Sequence, residues 1–318
     1  MIVITGAAGF IGSNLVAELN DRGRDDLILC DTLGEDLRWL NLRKRTFRNI
    51  IHIDKIFDFL SFLYEKSIVP EAVIHLGANT STTSTDAHEI LENNYSFTLS
   101  WLQFCAVYEV PFIYASSAST YGDGKEGFID DPSLDALKKL RPLNLYGWSK
   151  HLVDKVIAER RENHLPLPPK CIGLKFFNVY GPNEYHKFKM MSVVGKNYDC
   201  VKNGESVPLF DGEPMRDFVY VKDAADVILW MLDNGPKCGL FNVGTGVARY
   251  FEDMVNAMGL PPRIAYQPIP ESLRSQYQMH TCASTYNLIR AGYTKRFMSV
   301  EEGVAKYVEY LQSEDRYR

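Results

Sequence analysis

The sequence predicts an α/β protein: a doubly wound parallel sheet with a smaller mixed α/β domain built upon it. Three observations predict it. Short β-rich runs alternate with helix-like segments over the first two-thirds of the chain. Those runs are continuously apolar, as strands covered on both faces must be. The first run feeds directly into a glycine-rich turn, MIVITGAAGFIG.

Taken in order, MIVIT predicts a strand, and the apolar spacing from Ser13 to Asn20 predicts a helix. LILCD, from Leu27, predicts a second strand. A helical segment around Phe57 to Tyr64 leads to the strand AVIHLGA at Ala72. Asn93 to Tyr108 predicts a long helix, VPFIYASS a strand, and LYGWSKHLVDKVIAERREN, from Leu145, a helix. CIGLKFFNVYG, from Cys171, closes the series. Right-handed crossovers between such strands give a doubly wound sheet. After Gly181 loops lengthen and prolines multiply. DFVYVKDAADVILWMLDN, from Asp217, predicts another strand and helix returning to the main sheet. The expected division is a dinucleotide-binding domain over 1–176, with a returning segment near 217–245. Residues 177–318 are expected to form most of the substrate domain.

The 318 residues are 46% hydrophobic with a net charge of −5, which suits a sizeable core and not a nucleic-acid or anionic-lipid surface. Basic residues thicken between Arg38 and Lys55, which reads mostly as a solvated face. Six scattered cysteines without a CxxC pair, and histidines without ligand spacing, predict neither disulfides nor a metal site. No secretory leader or membrane span is legible, so a cytoplasmic protein is expected.

Gly6, Gly9 and Gly12 lie between a strand and a helix, the context in which a glycine trio grips a pyrophosphate. This is the Rossmann-type fingerprint. Asp31 ends the next strand, where a carboxylate binds ribose hydroxyls and favours NAD. Arg38 and Lys55 are candidate cations for a 2′-phosphate, which would favour NADP. Leu76, Gly77 and Ala78 end a later strand, where a small-residue backbone passes close to a cofactor.

Tyr146 and Lys150 sit one turn apart on one helix face. A tyrosine is a poor base at neutral pH unless a neighbouring cation stabilises its phenolate. Ser117 ends the strand VPFIYASS, where its hydroxyl can meet a substrate oxygen. The glycine turn, Asp31, the serine and the YxxxK pair occur in the order a redox site needs. A non-catalytic dinucleotide sensor would keep the turn without the pair.

TGAAGFIG, SSASTYG, YGWSK and FNVYGP together resemble the extended short-chain dehydrogenase/reductase superfamily, which acts on nucleotide sugars. The resemblance covers nearly the whole chain. It implies a redox site of Ser117, Tyr146 and Lys150. It also implies cofactor contacts at Phe10, Ile11, Thr32, Asn79, Thr80, Asn93 and Val179. A 4,6-dehydratase commonly places an acidic pair after the serine; Ala118, Ser119 and Thr120 stand there instead. A UDP-hexose 4-epimerase is a second reading.

A third is sharper. HLGANTSTTSTD, FNVYGPNEYHK, LFDGEPMRDFVYVKD and ESLRSQYQ resemble the ADP-heptose 6-epimerase family, which supplies the lipopolysaccharide inner core. That resemblance implies one tightly bound NADP per subunit, with NAD left open. It implies transient oxidation at C6″ of an ADP-heptose, and a homo-oligomer, with a pentamer as the specific expectation. Inverting a carbinol presents its hydroxyl from two sides, so a second acid/base opposite Tyr146 is expected. The resemblance gives Lys187 that role and also places it against the cofactor. Partial burial, or a neighbouring cation (Lys189, or His186 when protonated), would lower its pKa. Glu184, Tyr185 and Lys189 are expected to be solvated or supporting.

Substrate contacts are implied at Asn178, Lys189, Lys196, Phe210, Asp211, Gly212, Arg216 and Tyr277, besides Ser117. Arg216 suits the nucleotide diphosphate. Phe188 and Lys189 replace a family glycine and a small hydroxyl residue. Lys196 stands near a family histidine, and Arg38 replaces a family lysine.

Overall fold

The structure, a computed structural model, describes residues 1–318. Twelve strands run in chain order: β1 (Ile2–Thr5), β2 (Leu27–Cys30), β3 (Asn49–Ile51), β4 (Ala72–His75), β5 (Phe112–Ser117), β6 (Cys171–Phe176), β7 (Asn178–Tyr180), β8 (Ser206–Phe210), β9 (Met215–Tyr220), β10 (Cys238–Val243), β11 (Ala248–Tyr250) and β12 (Arg263–Gln267). Seven of them form one parallel sheet in the order β10-β6-β5-β4-β1-β2-β3. Strand order reverses between β1 and β4. In open α/β sheets the ligand crevice lies at such a switch point, beyond the carboxyl ends of the strands.

The continuous apolar runs are explained by cover on both faces. Ile2, Ile4, Leu27, Leu29 and Ile74 enter one core, with the helices Phe10–Asp21 and Val221–Asp233 over them. Val3, Ile28, Cys30 and Val73 point the other way, into a core with Trp101, Leu102, Val153 and Ile157. Alternation along each strand sends neighbours to opposite faces, and both faces are dry.

The expected return of Asp217 to the main sheet is half right. The helix Val221–Asp233 packs on that sheet's first helix, but β9 pairs elsewhere, with β7 and β11 in a three-stranded sheet. β10 is the strand that returns, beside β6. DFVYV looks like a parallel core strand because it too is buried, between the large core and a second one. That second core joins β9 to the helices Val193–Lys202 and Val300–Gln312. β8 and β12 add a two-stranded parallel lip. No helix is long and apolar enough to cross a membrane.

Candidate active site

A cleft of about 1090 Å³ opens at the carboxyl ends of the main strands, roofed by the smaller sheets. Its floor is the glycine turn. Gly6 has φ +64°, and a Cβ there would stand 2.7 Å from Gly77 Cα. A Cβ on Gly12 would stand 2.1 Å from the Gly6 carbonyl oxygen. Only glycine permits β1, β4 and the first helix to approach this closely. That helix starts at Gly9 with no side-chain cap, so its first-turn N–H groups remain free for an anion. The cradle therefore fits the pyrophosphate of a dinucleotide.

Phe10, Ile11, Thr32, Leu76, Gly77, Ala78, Asn79, Thr80, Asn93 and Val179 all border the same cleft. Asp31 borders it too, but its carboxylate is turned inward. It accepts the Ala8 N–H at 2.7 Å and the Thr32 N–H at 2.7 Å, tying the turn to the end of β2. Burial pushes its pKa up, and these bonds with Arg38 oppose the push. Arg38 lies 3.5 Å from Asp31 and is gripped by Asp36, with Nε donating at 2.8 and 2.9 Å. Lys55 is exposed on a short 3-10 turn and does not border the cleft.

Tyr146 and Lys150 lie in the helix Leu145–Glu162, whose N-cap Asn144 accepts the Gly147 N–H at 2.8 Å. Both border the cleft, with Ser117 at the end of β5. Burial raises the Tyr146 phenol, and the nearby Ser117 hydroxyl opposes that rise. Burial lowers Lys150 to about 8, against the pull of Asp154. Asp154 is the hub of a buried polar set. It accepts Tyr114 Oη at 3.1 Å, Ser116 Oγ at 2.8 Å and Lys175 Nζ at 2.8 Å. This set fixes the helix to β5 and β6 directly behind the redox pair.

The segment Tyr185–Met190 is one 3-10 stretch broken at Phe188, which takes φ 47°, ψ −114°. His186 and Lys187 border the cleft; Phe188 and Lys189 point to solvent. The Lys187 ammonium lies 4.9 Å from the Phe10 ring centre. Glu184, expected to be solvated or supporting, is fully buried. One expectation about this loop is corrected. His186 is held neutral, its pKa lowered to about 4 by burial and then by Arg38, so it offers Lys187 no positive charge. The cation that accompanies Lys187 is Lys196, not the exposed Lys189.

Asn178, Lys196, Phe210 and Tyr277 line the far end of the cleft, whereas Asp211 and Gly212 lie outside it and are exposed. Arg216 is buried at 6% exposure with its guanidinium 5.0 Å from the Tyr277 ring centre. Neither Asp217 nor Glu213 pairs with it. Asp217 instead accepts the backbone N–H groups of Thr245, Gly246 and Ala283 at 2.8, 2.9 and 3.0 Å. Arg216's only hydrogen bond is to the Met215 carbonyl, so a buried cation is left without a counter-ion, and burial lowers its pKa. An anionic ligand would supply what the protein does not.

Residues 2–244 match the NAD dependent epimerase/dehydratase family. The chain belongs to that family. Among NAD dependent epimerase/dehydratase relatives, a Fusobacterium nucleatum protein named ADP-L-glycero-D-manno-heptose-6-epimerase is 42% identical over 100% of both chains. A Nitratidesulfovibrio vulgaris protein of the same name is 41% identical, again over 100% of both. The solved Helicobacter pylori ADP-L-glycero-D-manno-heptose-6-epimerase superposes with a TM-score of 0.79 at 26% identity, over 98% of this chain and 96% of that one.

Three residues in or behind this epimerase/dehydratase cleft were not anticipated from sequence. Asp36 borders it and competes for Arg38. Asn41 donates to the Ala8 carbonyl at 2.8 Å and lies 3.2 Å from His186 Nδ1, joining the glycine turn to the Lys187 loop. Asn94, in a π-helical turn over Glu92–Ser96, bonds both the N–H and the carbonyl of Asn79, at 2.7 and 2.9 Å. It also donates to Ser149 at 3.0 Å, next to Lys150. No sequence signal singled out Asn94; π-turns often sit at functional sites.

Proposed function

We propose that this enzyme interconverts ADP-D-glycero-D-manno-heptose and ADP-L-glycero-D-manno-heptose by transient oxidation at C6″. The observation that carries the reading is the arrival of Lys187, from the loop after β7, in the cleft that already holds Tyr146, Lys150 and Ser117. Full-length relatives bearing the epimerase name support it.

A nicotinamide dinucleotide held by the glycine turn and Lys150 would supply reversible hydride exchange with C6″. The chain's own residues handle protons and position. Ser117 and Tyr146 meet the C6″ oxygen in one orientation, where the phenolate form of Tyr146 takes its proton and Lys150 stabilises that phenolate. Lys187 gives or takes the proton when the oxygen faces the other way. Arg216 meets the diphosphate, with Tyr277 and Phe210 as apolar walls. No net redox change results. The three residues after Ser117 carry no carboxyl group, so water elimination finds no acid there, which disfavours the dehydratase reading.

The resemblance favours NADP. The structure supports NAD more: a 2′-phosphate must compete with Asp36 and Asp31 for one guanidinium, and Lys55 stands outside the cleft. The mass of cofactor released from purified protein decides between them. A cytoplasmic homo-oligomer serving lipopolysaccharide synthesis is the biological setting we infer from the resemblance, and light scattering tests the pentamer.

The decisive experiment incubates the protein with ADP-D-glycero-D-manno-heptose and follows C6″ by NMR. Interconversion is expected. Inactivity there, with turnover of UDP-glucose or UDP-galactose, overturns the reading in favour of a 4-epimerase.

A further inference from the structure

Glu184 is a carboxylate with no exposed surface, four residues into the loop that follows β7. A buried carboxylate is costly unless it is bonded and paired. Glu184 meets both conditions. It accepts the Ser192 N–H at 2.7 Å and the Ser192 hydroxyl, and its Oε2 lies 3.5 Å from Lys187 Nζ. Ser192 in turn caps the helix Val193–Lys202, accepting the Gly195 N–H at 3.1 Å, so the carboxylate sits at the positive end of a ten-residue helix. Space for it is reserved: a Cβ on Gly195 would stand 2.9 Å from Glu184 Oε1 and 2.8 Å from the Tyr307 hydroxyl. On its other side Lys187 meets the face of Phe10, in the first turn of the glycine-turn helix.

We propose that Glu184 is a positioning residue for Lys187, the fixed counter-charge that holds its ammonium at the cleft. The proposal deepens the reading of Lys187 as second acid/base and rests on it. Tyr185, on the loop next to Glu184, is a phenol whose burial pushes its pKa up. Lys196, from the Val193–Lys202 helix, opposes the ammonium and shares the same carboxylate. His186, on the loop itself, is neutral. Tyr307, from the C-terminal helix, stands beside Glu184 as a phenol whose burial pushes its pKa far up. One carboxylate therefore serves two lysines. Removing its charge leaves the two cations facing each other, and Lys187 must then release its proton more easily. Glu184 takes no proton itself; the proton passes between Lys187 and the C6″ oxygen.

Competitive acetylation of the holoenzyme with acetic anhydride across a pH series, read by mass spectrometry on the Lys187 peptide, measures this directly and needs no substrate. Glu184→Gln is expected to lower the labelling midpoint of Lys187 by about one unit or more. Glu184→Asp, which withdraws the carboxylate by one methylene, is expected to lower it less and to restore turnover relative to Glu184→Gln. An unchanged or raised midpoint in whichever variant retains the wild-type melting temperature and cofactor content overturns the proposal. The two readings fail separately. If the midpoint falls but the wild type does not epimerise ADP-heptose, the positioning stands and the substrate reading goes. If the wild type epimerises, Lys187→Ala stops it and the midpoint does not move, Glu184 has no such role.

Discussion

Lys150 carries the sharpest conflict between folding and chemistry. It is 2% exposed, and burial lowers its pKa from 10.5 to about 8. The folded state therefore penalises its charged form below pH 8, and the penalty disappears as pH rises from there towards 10.5. Lys150→Met should abolish turnover while raising the unfolding free energy of the cofactor-free protein at pH 7 by about 1–3 kcal/mol, measured by urea denaturation. In the wild type, loss of the ammonium should bend the alkaline limb of the kcat/KM profile near pH 8. Phe188 is strained for a different reason. At φ 47°, ψ −114° it occupies backbone space that suits glycine, and its ring is 63% exposed. Phe188→Gly should gain roughly 1 kcal/mol in the same assay, with epimerisation largely kept. These two residues also mark how far sequence reasoning reaches. The spacing of Tyr146 and Lys150 is local and was legible. Glu184 was not, because its burial depends on Gly195 and Tyr307, which lie outside its loop, as well as on Ser192 at the loop's end.

At the level of elements, the catalytic helix and the glycine-turn helix are the two most exacting parts. Asn144 caps the first through Gly147, one residue from Tyr146. Asn144→Ala should cost about 1 kcal/mol and loosen the redox pair, seen as a larger fall in kcat than in cofactor occupancy. Gly12→Ala drives a methyl towards the Gly6 carbonyl oxygen and should yield protein purified without dinucleotide, checked by absorbance of the released cofactor. The main sheet was readable because strands buried on both faces leave continuous apolar runs. β3 was missed because Asn49–Ile51 is three residues long and only partly buried. β9 was assigned to the wrong sheet because burial leaves the same apolar signature in a three-stranded sheet as in a seven-stranded one. β10 escaped notice because it opens on Cys238 and Gly239, which carry little strand signal.

Across the whole molecule, three histidines are kept neutral inside the fold. His75 is fully buried. Its Nδ1 lies 2.7 Å from Thr5 Oγ1, which also accepts the Gly77 N–H at 3.0 Å and so donates to the ring. Its Nε2 faces Thr98, which is already donating to the Asn94 carbonyl, so that side of the ring carries the proton. Burial lowers the pKa of His75 well below 6.5, and that of His151 and His186 to about 4. Below pH 6.5 the unfolded chain takes up protons that the native fold refuses, so stability falls as pH drops from 6.5 to 4. For His151, 3% exposed, the loss is roughly 3 kcal/mol at full titration. Asp223, raised to about 6 by burial, works the other way from pH 6 downwards. The three histidines outweigh it, so urea midpoints should decline between pH 6.5 and 4.5.

The loop that carries Lys187 is moored far from its own neighbours in sequence. Asn14 holds the Pro182 carbonyl at 2.9 Å, Asn183 holds Ser13 at 3.1 Å, and Asn41 reaches His186. This has a bearing on protein engineering. Grafting the loop onto a related 4-epimerase scaffold would transfer a lysine without the surroundings that aim it. The smallest transplantable unit is a set of three separated segments, around Asn14, around Asn41 and from Pro182 to Ser192, that must travel together.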